Sequence, residues 1–305
     1  MSDEPPIKDL LSFLDQRLLG KEREVRLSLA CLLSGGHLLL EDVPGVGKTT
    51  LAAALAEGLG LDSTRIQFTS DLMPSEITGG TIFDKESQDF IVRQGPIFTQ
   101  LVVADEINRA TPRTQSALLE AMSESSVSID GQRYALDAAF TVIATQNPAL
   151  QTGTYLLPES QLDRFTMCLS LGYPAPEFER ELLARGEARA NMTAPDLPAG
   201  QLIDWRDAVS NIHCSDSVIS YSHRLLADSR KNEQLSLGVF PRGGQQWLAA
   251  ARAWAFLSER DHVLPDDIQA VAVPVIAHRC VARNQSKETS VSAVAGMLES
   301  IPVVV

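Results

Sequence analysis

The sequence predicts an α/β fold, a parallel sheet covered by helices on both faces, followed by a smaller, all-helical domain. Three observations predict it. Short runs rich in apolar residues recur at residues 37–40, 65–68, 101–104, 140–144 and 165–169, as expected of strands buried on both faces. Helix-forming stretches such as 51–56 and 114–123 lie between some of them, and strands alternating with helices imply right-handed crossovers and a helix-covered parallel sheet. Beyond Tyr173-Pro174-Ala175-Pro176 the strand pattern stops, and helical periodicities dominate apart from the turn-rich stretch 193–200. The expected domains are residues 1–175 and 176–305, a division that a 305-residue length favours.

Each element has its own warrant. Residues 7–33 carry apolar side chains at helical intervals (Leu10, Leu11, Leu14, then Val25, Leu27, Leu29, Leu32) broken by Gly20, which predicts two helices joined there. His37-Leu38-Leu39-Leu40, after Gly35-Gly36, reads as the first strand, and Leu51-Ala52-Ala53-Ala54-Leu55-Ala56 as the next helix. Two stretches break the alternation. One is 71–98, with Gly79-Gly80 and Gly95-Pro96; the other is 125–136, where Asp130-Gly131 between alternating residues predicts a β-hairpin. Trp247, Leu248, Ala251 and Trp254 form a helical stripe that reads as core packing.

Composition removes several function classes. The apolar fraction of 44% and charged fraction of 21% are those of a folding globular chain. No apolar run of membrane-spanning length occurs, and Met1-Ser2-Asp3-Glu4-Pro5-Pro6 lacks the features of a leader, so a cytoplasmic protein without membrane insertion is expected. Cys31, Cys168, Cys214 and Cys280 show no CxxC spacing and read as reduced, mostly buried side chains. His37, His213, His223, His262 and His278 show no H-x-x-x-H spacing, which speaks against a catalytic zinc. No nucleophile elbow of the G-x-S-x-G type occurs. The net charge of −13, with no basic stripe, opposes binding to a phosphate backbone, so nucleic acid is not an expected partner.

The segment Asp42-Val43-Pro44-Gly45-Val46-Gly47-Lys48-Thr49-Thr50 lies between a predicted strand and a predicted helix, the context that a phosphate-cradling loop requires. Glycines let successive backbone N–H groups turn inward on phosphate oxygens, and the helix N-terminus adds partial positive charge. Lys48 suits the β- and γ-phosphates, and the Thr49 hydroxyl suits magnesium. Asp42 stands where the pattern G-x-x-x-x-G-K-[ST] has its first glycine, so Gly45 and Gly47 must supply the flexibility. The strand at 101–104 runs into Asp105-Glu106, which puts two carboxylates at the carboxyl edge of the sheet, where ligands of such sheets bind. Asp105 fits a magnesium shell and Glu106 fits activation of an attacking water. The strand at 140–144 ends in Thr145-Gln146-Asn147-Pro148, so Asn147 is placed to hydrogen-bond that water or the γ-phosphate.

Taken in order, the loop, Asp105-Glu106-Ile107-Asn108-Arg109-Ala110, Asn147 and Leu157-Pro158-Glu159-Ser160-Gln161-Leu162-Asp163-Arg164-Phe165 resemble the MoxR family of AAA+ ATPases. Gly95-Pro96-Ile97-Phe98 and Asp266-Asp267-Ile268 through His278-Arg279 extend the resemblance over nearly the whole chain. It implies a P-loop NTPase domain of three αβα layers with a small all-helical lid, and a ring, usually a hexamer, that hydrolyses ATP with Mg2+ to remodel or mature a partner. By it the loop Pro44, Gly45, Val46, Gly47, Lys48, Thr49 and Thr50 holds nucleotide, with Thr49 and Asp105 on Mg2+. Glu106 completes the Walker B pair, Asn147 is sensor 1, Arg164 the arginine finger and Arg242 sensor 2. Phe240 departs from the small residue usual before Pro241-Arg242. The resemblance also implies that 71–98 and 125–136 are insertions facing the remodelling side, and that Leu18-Leu19-Gly20 borders the base pocket. A von Willebrand factor A domain protein is the partner it suggests, in metal insertion, complex maturation or chaperone-like roles. No Asn-Lys-x-Asp guanine motif occurs, so ATP is the expected nucleotide. The competing readings are a nucleic-acid motor, against which acidity and a hairpin with Arg133 as its one base argue, and a nucleotide-gated scaffold, against which the presence of Glu106 and Arg164 argues.

Overall fold

The computed structural model describes residues 6–148, 153–185 and 193–303. Residues 1–5, on which the absence of a leader was read, lie outside them, as do 186–192 and 304–305 of the expected helical domain. Contacts group the chain into two units: Met1–Glu22, Leu39–Leu157 and Ser170–Gln201 form one, and Arg23–Leu38, Pro158–Leu169 and Leu202–Val305 the other. Both are discontinuous in sequence, so the grouping is not a single cut at one residue.

The chain begins with α1 (Pro6–Arg17) and α2 (Glu22–Leu33), whose apolar residues Leu10, Phe13, Leu14, Val25, Leu29 and Leu32 are buried. Gly20 joins them at φ +70°, with the ring of Phe178 against its Cα, where a Cβ would collide. Then follow β1 (Leu38–Glu41), α3 (Lys48–Gly58), β2 (Ser63–Gln67), α4 (Pro74–Thr78), β3 (Gly79–Asp84), β4 (Asp89–Gln94) and β5 (Leu101–Asp105). Next are α5 (Pro112–Glu124), β6 (Ser126–Ile129), β7 (Gln132–Ala135), β8 (Thr141–Gln146), α6 (Glu159–Leu162) and β9 (Met167–Leu169).

These strands build a five-stranded sheet in the order β2-β5-β8-β1-β9. β2, β5 and β8 run parallel in register, Gln67 beside Asp105 and Ala104 beside Ala144, so their carboxyl ends emerge side by side. β5 is buried throughout and β8 nearly so, as their apolar runs predict. β2 differs from the buried strand expected at 65–68. Of Ser63–Gln67 only Ile66 is buried, because β2 closes the sheet at one end and turns the alternate residues Arg65 and Gln67 outward.

The departures from alternation are now explained. Residues 71–98 contain α4 and the antiparallel hairpin β3–β4, and 125–136 contain the hairpin β6–β7. Asp130 (φ +48°) and Gly131 (φ +82°) supply the pair of positive φ values that a tight two-residue turn needs.

The rest comprises α7 (Pro176–Arg185), α8 (Gln201–Ser210), α9 (Asp216–Ser229), β10 (Leu235–Leu237), α10 (Pro241–Leu257), α11 (Pro265–Ile276), β11 (Val281–Ala282) and α12 (Lys287–Ser300). Among the described residues the regular structure of this region is helical except where β10 and β11 pair antiparallel, strands too short for periodicity to register. Trp247 is fully buried, its indole N–H on the Ile268 carbonyl at 2.8 Å, in keeping with a core residue. The four cysteines are free; Cys31 and Cys280 are buried, and burial pushes both thiols up to about 12, where they are inert.

Candidate functional site

The site begins where β1 ends. Gly45 (φ +87°) and Gly47 (φ +99°) hold left-handed conformations that let the loop turn its N–H groups inward. A Cβ on either would touch nothing, so conformation rather than space demands glycine there. Gly47 caps α3 with no side chain covering the helix N-terminus, leaving its first N–H groups to the cleft. The Lys48 ammonium donates to the carbonyls of Asp42 and, at 2.9 Å, Val43. Burial lowers its pKa, opposed by the charges of Asp42, Asp105 and Glu106.

Asp42, in place of the usual glycine, is a tether. Its carboxylate accepts the Val43 N–H at 2.8 Å, the Gly172 N–H at 2.6 Å and the Ser170 hydroxyl at 2.8 Å. Burial pushes its pKa up, but these hydrogen bonds and the charge of Lys48 outweigh it and hold the carboxyl below its usual value. The start of the loop is thereby tied to the segment after β9.

Two carboxylates follow at the end of β5. Asp105 is 4% exposed and accepts from Arg65 Nε at 2.5 Å and from the Thr145 hydroxyl at 3.2 Å. Glu106 sits at φ +55°, an uncommon conformation for a side chain of its size, fixed by its N–H on the Thr145 hydroxyl at 2.9 Å. That kink aims its carboxylate into the cleft, where it accepts from Gln67 at 3.0 Å and Arg109 at 2.8 Å. Asn147, 5% exposed just past β8, accepts on its backbone oxygen from the Asn108 side chain at 3.3 Å.

A cleft of about 310 Å3 gathers these groups. Pro44, Gly45, Gly47, Lys48, Thr49 and Thr50 line it from the loop, Asp105 and Glu106 from β5, and Thr145, Gln146 and Asn147 from β8. Arg65 and Gln67 close it from β2. The donor set suits a polyphosphate with a hard cation: inward N–H groups, one ammonium, a hydroxyl beside a carboxylate, and a second carboxylate with an amide for a water. The sequence motifs did not reveal Arg65, Gln67, Arg109 or Thr145. Two polar residues at alternate positions of β2 were the available signal, masked by reading 65–68 as an apolar run.

Arg164 and Arg242 belong to the second unit. Arg164 stands beside the run 165–169 expected to form a strand, but β9 begins only at Met167; Arg164 follows α6, and its N–H donates to the Gln161 carbonyl at 3.2 Å. Arg242 is in the first turn of α10, behind Phe240, which is 54% exposed.

Comparison with known proteins agrees with this fold. Residues 37–167 match the ATPase family associated with various cellular activities (AAA), and residues 227–296 match the AAA lid domain. The chain is 42% identical to the Bacillus subtilis protein YeaC, covering 98% of this chain and 94% of that one. It is 39% identical to Chaperone MoxR1 of Mycobacterium tuberculosis, over 87% of this chain and 72% of that one. A solved structure from Cytophaga hutchinsonii, provisionally described as an ATPase, superposes with a TM-score of 0.89 at 32% identity, covering 98% of this chain and 95% of that one.

Proposed function

The chain belongs to the MoxR family of AAA+ ATPases, and we propose that it hydrolyses ATP with Mg2+, as a ring of like subunits, to remodel or mature a partner protein or complex. The observation that carries the catalytic part is the convergence of Lys48, Thr49, Asp105, Glu106 and Asn147 on one cleft at the carboxyl ends of β5 and β8. In this reading residues 1–175 bind nucleotide, with the turn at Leu18-Leu19-Gly20 bordering the base, and residues 176–305 form the lid.

The backbone N–H groups of Gly45 to Lys48, with the start of α3, hold the β- and γ-phosphates, and Lys48 neutralises charge on them. Thr49 and Asp105 would hold Mg2+, which when bound supplies charge neutralisation across the β- and γ-phosphates. Glu106 orients a water and accepts its proton as the water oxygen bonds to the γ-phosphorus. The bond from that phosphorus to the β–γ bridging oxygen breaks, leaving ADP and phosphate. Asn147 fixes the water or a γ-oxygen. Arg164, from a neighbouring subunit, meets the charge on the transferring group, and Arg242 reports nucleotide to the lid.

Assembly as a hexamer, a von Willebrand factor A domain partner, a chaperone-like or metal-inserting role and a cytoplasmic setting belong to the same reading. The named chaperone relative supports the remodelling part. ATP titration and steady-state turnover test the catalytic part. Lys48→Ala should lose tight ATP binding, because the loop loses its charge, whereas Glu106→Gln should bind ATP and stop turning it over. Parental turnover by Glu106→Gln would overturn the assignment of the water-activating residue.

A further inference from the structure

Arg279 is 4% exposed and ends the short helical turn Ala277–Arg279 that follows α11. Its guanidinium spends its donors on the segment that carries Arg164. Nε meets the Asp163 carboxylate at 2.8 Å, and the terminal nitrogens meet the Asp163 carbonyl at 3.3 Å, the Phe165 carbonyl at 2.7 Å and the Thr166 carbonyl at 3.2 Å. The carbonyls on both sides of Arg164 are therefore gripped by one side chain. His278 adds its Nε2 to the Phe165 carbonyl at 3.0 Å.

The same guanidinium is tied to the helices behind it. It donates to the Val275 carbonyl and to the side-chain oxygen of Gln246, whose amide reaches the Thr166 hydroxyl at 3.4 Å. Gln246 lies one turn beyond Arg242 on α10. Between them Gly243 packs directly on Arg279: a Cβ there would come within 2.9 Å of Arg279 Cδ. A Cβ at Gly243 would also come within 2.8 Å of Val239 Cγ1, so Val239 and Arg279 together leave room there only for glycine.

We infer that Arg279 is a positioning residue that fixes the backbone on either side of Arg164 and couples it, through Gly243 and Gln246, to the helix turn bearing Arg242. This rests on the reading of Arg164 as the residue that meets the transferring phosphoryl group. A buried ion pair is poor evidence of added stability, since packed apolar residues often do as well. Here the planar fork presents five N–H donors in fixed directions to several acceptors at once, where an ammonium has three on a single rotating centre.

The test is a kinetic cycle on the full-length protein, with ATP affinity and thermal midpoint measured beside turnover. Arg279→Lys keeps the charge but not the fork. It should leave ATP affinity within about twofold and lower kcat by about 100-fold, the loss that a misplacement of about 1 Å brings. In an Arg164→Lys background, where a residual charge keeps turnover measurable, Arg279→Lys should add less than a further threefold, because residues acting as one unit are non-additive. Gln246→Ala, a milder change if Arg279→Lys does not fold, should show the same pattern with a kcat loss of about tenfold. Parental kcat in a folded Arg279→Lys, or losses that multiply in the double variant, would overturn the inference. Parental turnover by Arg164→Ala would instead overturn the finger reading on which it rests, so the two failures are distinct.

Discussion

Asp42 and His278 show how much a single side chain can carry. Asp42→Gly would bring the loop to the usual motif, yet it removes the acceptor for Val43, Gly172 and Ser170. Hydrogen bonds to a charged group contribute about 1.5–3 kcal/mol, so this variant should be destabilised by about that much in chemical denaturation. A variant as stable as the parent would refute the tether. His278 is half-buried; desolvation of its ring, with the charge of Arg279, depresses its pKa well below the ordinary 6.5 against the pull of its carbonyl partners. The unfolded imidazole thus takes up a proton before the folded one does. This contribution to stability is intact above pH about 6.5, falls as pH drops beneath it, and levels off past the folded value, at a slope of at most about 1.4 kcal/mol per pH unit. His278→Gln should flatten that part of the stability curve between pH 7 and 5; an unchanged slope would contradict it. At this scale the motif residues were legible, since a phosphate loop, an acidic pair after a strand and a polar residue after the next strand announce their chemistry in order. Arg65, Gln67 and Arg279 were not, because these partners lie 39 to 116 positions away and only strand register or helix packing brings them together.

Helices and buried strands are where sequence pattern and structure agree most closely. The apolar runs at 37–40, 101–104 and 140–144 fall on β1, β5 and β8, and the interruption at Gly20 falls between α1 and α2. What escaped was partly short: α6, β10 and β11 span four, three and two residues, fewer than any periodicity needs, while β3 and β4, six residues each, lie in the stretch 71–98 that sequence pattern marked only as a break in the alternation. Two element-scale outcomes follow. Gly47→Ala places a Cβ at φ +99° in open space, so its conformational cost should be about 1–2 kcal/mol. Loss of ATP affinity should exceed that cost, because the strained loop can no longer present its N–H groups; unchanged affinity by calorimetry would contradict the cradle. On the β3–β4 hairpin, Phe83 and Phe90 are 50% and 71% exposed and touch edge to face, with centroids 5.3 Å apart. Phe90→Ser should therefore shift stability by no more than about 0.5–1.5 kcal/mol and leave basal turnover unchanged. A collapse of basal turnover would mean that the hairpin supports the site.

For the whole molecule, charge and assembly decide the outcome. A net charge of −13 offers no counterion-release drive, so DNA should bind weakly at physiological salt and leave ATP turnover unstimulated. Salt-sensitive, sub-micromolar DNA binding would favour a nucleic-acid motor instead. The central claim is that each nucleotide cleft is completed by Arg164 of a neighbouring subunit, so that hydrolysis depends on assembly. Removal of such a finger costs about 10³–10⁵ in turnover, whereas an arginine engaged in a surface ion pair contributes about 0–1 kcal/mol and no catalysis. The direct measurement is ATP turnover after mixing Arg164→Ala with Lys48→Ala protein, with formation of mixed assemblies verified independently. Each protein alone should be inactive, and the mixture should regain part of the parental rate, because some interfaces pair an intact loop with an intact finger. Mixed assemblies that hydrolyse nothing, or an Arg164→Ala protein that turns over ATP at the parental rate, would contradict the claim.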